Sequence, residues 1–194
     1  LYASYLGDGT TTQGSRMYNN TINNFTSQGT QYLIYTGSSA SANQPAKIYN
    51  NTVTNITNNS LSGSTYAVYS FASATAPYLE IYNNKIAGIT VANTSGFGRL
   101  YGIFGLSSAN YRIHNNYIGS LTASGAMTTT MPAPAIAGLY LSSGTYSLYN
   151  NTVYLNATST GANFSTTALY LSTAGVVDSR NNNFSNSSAI NGTG

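Results

Sequence analysis

The chain has 194 residues, of which six are Lys or Arg and three are Asp or Glu, so charged residues make up 5% of it against about 25% in an average domain. The net charge of +3 gives a pI near 9.1, but the basic residues are scattered, which excludes the clustered charge of a nucleic-acid-binding surface. The 18 Tyr and 6 Phe argue against disorder, the lack of Cys excludes disulfides and thiolate metal sites, and no apolar run is long enough to cross a bilayer.

One class of predicted strand consists of short runs rich in Tyr and aliphatic residues. These runs are bounded by Gly, Ser, Thr and Asn, as strands are, and helical periodicity is absent. The opening residues 1–6 are the first copy, and later copies occupy residues 32–35, 66–69, 101–104, 137–140 and 167–170.

The second class carries a motif that reads apolar, Tyr, Asn, Asn, any residue, apolar. It occupies residues 17–22, 48–53, 81–86, 113–118 and 148–153, with a degenerate copy at 179–184. The first Asn of each pair recurs after steps of 31, 33, 32, 35 and 31 residues. Self-similarity at such a period indicates a stacked repeat protein.

Each repeat is therefore predicted to form one coil with three short strands. The Tyr-rich strand leads through a Ser/Gly/Thr-rich corner, such as residues 38–44, to the strand with the Asn motif. The Asn pair makes the next corner, a third strand follows it, and a longer polar loop closes the coil at 54–65, 92–98, 119–134 or 156–166. We expect an all-β, right-handed parallel β-helix of about six coils of roughly 32 residues. Residues 1–194 would form one domain, a segment of a longer chain, because no capping element is visible.

Strand alternation predicts which side chains face the core. The aliphatic residue two positions before the first Asn should point inward, and so should the apolar residue that ends the motif. The first Asn is expected to point inward too, since it tolerates the left-handed backbone of a corner and its amide can bond to its equivalents above and below. This predicted asparagine ladder comprises Asn19, Asn50, Asn83, Asn115, Asn150 and Asn181.

These motifs resemble the Asn/Tyr-rich right-handed parallel β-helix repeats of large secreted and surface proteins of Bacteroidota. The resemblance covers nearly the whole chain and is strongest over residues 139–186, which include the copies at 148–153 and 179–184. Many such proteins are exported by the type IX secretion system through a separate C-terminal sorting domain. The resemblance implies a secreted, extracellular or cell-surface location, and it alone implies the export route.

Two outward columns are the candidate binding residues. The column three positions before the first Asn holds five of the nine charges, in Arg16, Lys47, Glu80, Arg112, Ser147 and Asp178. It predicts either a strip that binds a polymer or a solvated ladder of alternating charge that sets register. The next column contains Tyr18, Tyr49, Tyr82, His114, Tyr149 and Arg180, which is either a sugar-binding row of rings or a stack that shields itself.

Enzyme activity is not expected. Glycoside hydrolysis needs two carboxylates about 5 to 9.5 Å apart, whereas Asp8, Glu80 and Asp178 fall in different repeats. A Ser-His-Asp triad would depend on the single His114, and no acidic cluster exists for Ca²⁺. An ice-binding Thr array is broken at Lys85 and Tyr117.

The sequence therefore predicts a non-catalytic extracellular scaffold, adhesin or filament subunit, without cofactor or metal. The alternative is a carbohydrate-binding module that uses the Tyr and charge columns, and a polysaccharide lyase or hydrolase is the third reading. The expected partners are a second copy, joined end to end through terminal coils, or an extracellular polysaccharide or glycan. Neither nucleic acid nor membrane insertion is expected.

Overall fold

A computed structural model describes residues 2–6, 14–37, 45–71, 78–92, 98–106, 109–123, 133–159, 164–172 and 175–190. Every regular element in these ranges is a β-strand, so the described part of the chain has no helix that could cross a membrane. The predicted corner at 38–44, Asp8, and parts of the loops at 92–98, 119–134 and 156–166 lie outside the described residues.

The strands are, in chain order, β1 (Tyr2–Leu6), β2 (Arg16–Tyr18), β3 (Thr21–Ser27), β4 (Gln31–Thr36), β5 (Ala46–Tyr49), β6 (Thr52–Asn58), β7 (Thr65–Ser70), β8 (Leu79–Tyr82), β9 (Lys85–Val91), β10 (Leu100–Gly105), β11 (Asn110–His114), β12 (Tyr117–Ala123), β13 (Ile136–Leu141), β14 (Gly144–Tyr149), β15 (Thr152–Leu155), β16 (Thr158–Ser159), β17 (Thr166–Leu171), β18 (Gly175–Arg180), β19 (Asn183–Asn186) and β20 (Ala189–Ile190).

Three parallel sheets take one strand from every repeat. Sheet A has the order β1-β4-β7-β10-β13-β17, sheet B contains β2-β5-β8-β11-β14-β18, and sheet C contains β3-β6-β9-β12-β15-β19, while β16 pairs with β20. Every strand pair among the described residues is parallel, and each strand pairs with its equivalents one repeat away. The chain is thus a parallel β-helix, or β-solenoid, which confirms the predicted fold class.

The core consists of stacked inward columns, as strand alternation predicted. The first aliphatic position of the motif is buried in Met17, Ile48, Ile81, Ile113 and Leu148. The last apolar position is buried in Val53, Ile86, Ile118 and Val153, and Ile22 packs against them from a half-buried position. These columns join sheets B and C, and sheet A contributes residues such as Ile34 and Val68 from the third side.

The asparagine ladder is real, but its assignment to the first Asn of each pair is wrong. Asn19, Asn50, Asn83, Asn115, Asn150 and Asn181 all have φ between 54° and 57°, so the left-handed corner is confirmed, yet all six are exposed. A left-handed residue interrupts strand alternation, so its own side chain points outward and the next one points inward. The buried ladder is therefore formed by the second Asn: Asn20, Asn51, Asn84, Asn116, Asn151 and Asn182.

Each interior ladder amide bonds to the repeats on both sides. Asn84 shows the pattern: its Nδ2 donates to Asn116 Oδ1 and to the Ile48 carbonyl, both at 3.0 Å. Its Oδ1 accepts from the backbone N–H and from the Nδ2 of Asn51, again at 3.0 Å. The four interior members are at most 3% exposed, so these buried polar groups are satisfied entirely by protein.

The third strand is longer than predicted in the second and fourth repeats, where the chain continues extended beyond a second left-handed position, whereas β9 ends where the predicted loop 92–98 begins. Asn24, Asn55, Gly88 and Ser120 have φ between 50° and 63°, and β3, β6, β9 and β12 run through them for seven residues each. The residue after each one turns back to the core, as Ile56, Ile89 and Leu121 do. Half of the predicted loop 54–65 and the start of 119–134 are therefore strand.

Asn84→Ala should lower the free energy of unfolding by about 2–4 kcal/mol, because it leaves buried partners in both neighbouring repeats without hydrogen bonds. Denaturation followed by circular dichroism measures this loss. Asn83→Gly is the matched control: glycine accepts the positive φ, so we expect a change below about 1 kcal/mol. Equal losses in the two variants would contradict the assignment of the ladder to the second Asn.

Candidate functional site

The predicted charge column exists on the outer face of sheet B. Arg16 pairs in register with Lys47, Lys47 with Glu80, and Glu80 with Arg112, and the column continues through Ser147 to Asp178. Sheet register alone produces this alignment, because equivalent residues of parallel strands stack one above another. The alignment confirms the column but leaves its role open.

Glu80 is the centre of this face. Its Oε2 lies 3.0 Å from Lys47 Nζ, and its Oε1 lies 3.3 Å from His114 Nε2. Burial raises the pKa of the Glu80 carboxyl, but hydrogen bonds from Lys47 and His114, together with their charges, outweigh burial and lower the pKa overall. The hydrogen bond to Glu80 likewise raises the pKa of Lys47.

Arg112, the expected second partner of Glu80, does not form an ion pair with it. Its guanidinium lies over the ring of Tyr78, 3.9 Å from the centroid. Such a cation–π contact keeps the charge at the surface while the ring covers one side of it. His114 contacts Glu80 in place of Arg112. It is the next residue on the same face of β11, and it pairs in register with Tyr82, the next outward residue after Glu80 on β8.

The aromatic column is a stack of rings from Tyr18 to His114. The centroids of Tyr18 and Tyr49, of Tyr49 and Tyr82, and of Tyr82 and His114 are each 4.9 Å apart, with interplanar angles between 2° and 7°. Neighbouring rings therefore cover both faces of Tyr49 and Tyr82. At Tyr49 and Tyr82 a sugar that needs a free ring face meets only ring edges and hydroxyls, so the geometry there favours mutual shielding.

The far end of the column is polar. Tyr149 Oη donates to Asp178 Oδ2 at 3.1 Å, and Arg180 Nε donates to Asp178 Oδ1 at 2.8 Å. The Arg180 guanidinium also lies 6.0 Å from the centre of the Tyr149 ring. Both described acids, Glu80 and Asp178, are thus held by cations on sheet B.

A shallow depression of about 490 Å³ on sheet B is lined by Glu80, Arg112, His114, Ser147, Tyr149 and Asn150. It contains a serine, the single histidine and a carboxylate, but no hydrogen bond joins Ser147 to His114, so an activated nucleophile is not formed. Two strands separate Glu80 from Asp178, which puts these acids about 14 Å apart. Within the described ranges, no group of three or more His, Cys, Asp or Glu could hold a metal ion.

A second aromatic surface, on the outer face of sheet A, was not identified from the sequence. Tyr32 stacks on Tyr66 at 5.2 Å and Tyr35 stacks on Tyr69 at 5.3 Å, while rings of the two columns meet edge to face. Tyr101 in the next repeat is 1% exposed and donates to the Pro134 carbonyl. The sequence feature that could have identified it is the pair of rings three residues apart in the runs at 32–35, 66–69 and 101–104. Two adjacent inward residues lie between these rings, so both rings are on one face, as in β4.

Sheet C carries a depression of about 690 Å³, lined by Asn83, Asn84, Lys85, Ala87, Asn115 and Tyr117. It lies beside the Asn corner where the third and fourth repeats meet. Apart from Asn83 and Asn115, which were assigned to the ladder, the sequence analysis gave these residues no binding role. The sequence feature that could have pointed to them is the pair of small residues Ala87 and Gly119 in a column of outward-facing side chains.

Comparisons with protein-family models, with curated proteins and with solved structures found no match to this chain. The class of this protein is defined by its fold alone, and that class is the parallel β-solenoid.

The Glu80 network should make stability depend on acid pH. The folded pKa of Glu80 is below its ordinary value of 4.5, so its stabilising effect is present above pH 4.5 and is lost as pH falls through the folded pKa. Glu80→Gln should reduce the loss of unfolding free energy between pH 5 and pH 2 by up to about 1 kcal/mol. Asp178→Asn removes the more exposed acid, whose pKa is also lowered by its hydrogen bond to Arg180, and it should change the acid dependence less than Glu80→Gln does because solvent screens that pair. An unchanged dependence on acid pH in Glu80→Gln would contradict this account.

Proposed function

We propose that this chain is a non-catalytic β-solenoid of an extracellular or cell-surface protein, where it acts as a structural scaffold, an adhesin stalk or a filament subunit. The observation that carries the proposal is the unbroken amide ladder from Asn20 to Asn182, which ties every repeat to the next. A rod joined in this way keeps a fixed length and register, which is what a spacer or filament requires.

The outer surface supports the same proposal. On sheet B, Lys47 is paired with Glu80 and Arg180 with Asp178, Arg112 is stacked on a ring, and the inner rings of the Tyr column shield one another. An extracellular protein without Cys must be stabilised by packing or repetition instead of disulfides, and this chain has both. The resemblance to Bacteroidota surface repeats points to the same location.

The carbohydrate-binding alternative on the Tyr column draws its support from hydroxyls and charges that line the sheet B face. Covered ring faces weigh against it, because the apolar face of a sugar has no open ring to stack on. Tyr49→Ala and Tyr82→Ala test this alternative directly: both should leave any glycan binding unchanged.

Antibodies against the chain should label intact cells of the source organism, and the protein should release no reducing or unsaturated sugars from polysaccharides. Labelling confined to permeabilised cells would contradict the proposed location. Product formation that disappears in Glu80→Gln, with the fold intact by circular dichroism, would contradict the non-catalytic assignment.

End-to-end assembly is a further part of the proposal, and ladder polarity sets its direction. Every ladder bond runs from an N–H of one repeat to the Oδ1 of the next, so continuation between two copies would bring Asn182 of one copy to Asn20 of another, head to tail. In that arrangement Arg180 and Tyr18 of two copies would be column neighbours, about 5 Å apart at Cα.

The Cys-free chain allows a clean crosslinking test. The double variant Tyr18→Cys with Arg180→Cys should form disulfide-linked polymers under oxidation, because that Cα separation suits a disulfide. Each single variant should remain uncrosslinked. Crosslinking of the single variants would indicate a head-to-head contact, and sedimentation of monomers only, at high concentration, would contradict self-assembly.

A further inference from the structure

The depression on sheet C exists because one outward column loses its bulk in two successive repeats. The register aligns Thr54, Ala87, Gly119 and Tyr154, so two small residues lie between two larger ones. Ala87 forms part of the floor, and the corner residues Asn83 and Asn115 line one side. The volume of about 690 Å³ lies within the range of small-molecule sites.

Tyr117 supplies an aromatic ring that, unlike the Tyr column of sheet B, is not stacked. No ring contact involves it among the described residues, and it is 40% exposed. A Cβ placed on Gly119 would lie 2.8 Å from Tyr117 Oη and 3.1 Å from its Cζ, so the phenol end lies over this glycine. Gly119 therefore positions the ring along the strand, beside the depression, where a ligand can reach it.

Three hydrogen-bonding side chains around Tyr117 have no side-chain partner among the residues that the structure describes. Asn83 and Asn115 owe their outward amides to their positive φ, and those amides make no side-chain hydrogen bond. Lys85 stands next to Tyr117 in the sheet register, is exposed, and forms no ion pair. The two described acids lie on sheet B and are already paired, so no carboxylate lines this depression.

We propose that this depression binds a uronate unit, a pyranose carrying a carboxylate, within an acidic polysaccharide. The apolar face of the sugar packs on the open ring of Tyr117, since an aromatic ring attracts C–H groups to its face. The carboxylate pairs with Lys85, and the amides of Asn83 and Asn115 exchange hydrogen bonds with ring hydroxyls. Because the depression is open at the surface, the polysaccharide continues on both sides.

This site is independent of the proposed scaffold role. It differs from the Tyr column in offering a free aromatic face, which a sugar needs for stacking. Rings of the column cover one another, whereas Tyr117 keeps its faces free of other rings. Lys47 on sheet B is neutralised by Glu80 at 3.0 Å, whereas Lys85 retains an unpaired charge. An unstacked ring, an unpaired cation and unpartnered amides therefore line one depression at this site.

Isothermal titration calorimetry with tetrasaccharides of galacturonate, glucuronate and mannuronate tests the proposal. The methyl esters of the same tetrasaccharides are the uncharged control ligands. At least one acid form should bind, and its ester should bind at least about fivefold more weakly because the Lys85 pairing is lost. Tyr117→Ala should raise the Kd roughly tenfold, and Lys85→Gln should raise it about fivefold, with Lys85→Arg close to the unmodified chain.

Matched variants separate the site from general effects on the fold. Tyr154→Ala removes a similarly exposed tyrosine of the next repeat and should leave the Kd unchanged. Ala87→Tyr should fill the depression and abolish binding, whereas Thr54→Tyr, one repeat away in the same column, should not. Gly119→Ala should displace the flexible phenol of Tyr117 and weaken binding at nearly constant thermal stability.

The proposal is overturned if none of the three acid tetrasaccharides binds, or if Tyr117→Ala and Tyr154→Ala change the Kd equally. Equal affinity for acids and methyl esters would overturn the assignment of Lys85 and of the uronate class. Circular dichroism melting curves of each variant test whether it is folded, so that a loss of binding can be assigned to the site and not to unfolding.

Discussion

The carboxamides of the second asparagines connect the repeats through buried hydrogen bonds, and the register of all three sheets depends on them. A buried amide without partners is costly, so each ladder Asn requires its equivalents at the same height in the neighbouring repeats. A shift of one residue would also turn the aliphatic columns outward. The steps between motifs vary from 31 to 35 residues, yet the motif itself keeps one length, so variation is confined to the segments between strands.

The surface follows from the same constraint. Register places like residues one above another, so Tyr49 stacks on Tyr82 and Lys47 meets Glu80 without any further design. Such columns satisfy themselves and leave little for a ligand. The depression on sheet C is the exception. Ala87 and Gly119 interrupt one outward column, and Lys85 and Tyr117 interrupt the Thr column beside it, so neither Lys85 nor Tyr117 has a like partner one repeat away.

The period, the strands and the inward aliphatic columns could be predicted because they depend on spacing and alternation alone. The ladder was shifted by one residue because alternation fails at a left-handed corner: Asn83 takes the backbone conformation and Asn84 takes the hydrogen bonds. The column containing Glu80 was predictable from register, but its partner His114 depends on side-chain reach. The depression was missed because it arises from missing bulk at Gly119, which no motif records.

Hydrogen exchange of side-chain amides, followed by NMR, measures the ladder most directly. The Nδ2 protons of Asn51, Asn84, Asn116 and Asn151 should exchange slowly, since each donates to an amide oxygen and a carbonyl in a buried site. The Nδ2 protons of Asn83 and Asn115 should exchange at the rate of free asparagine. Fast exchange in the first group, or protection in the second, would contradict the account.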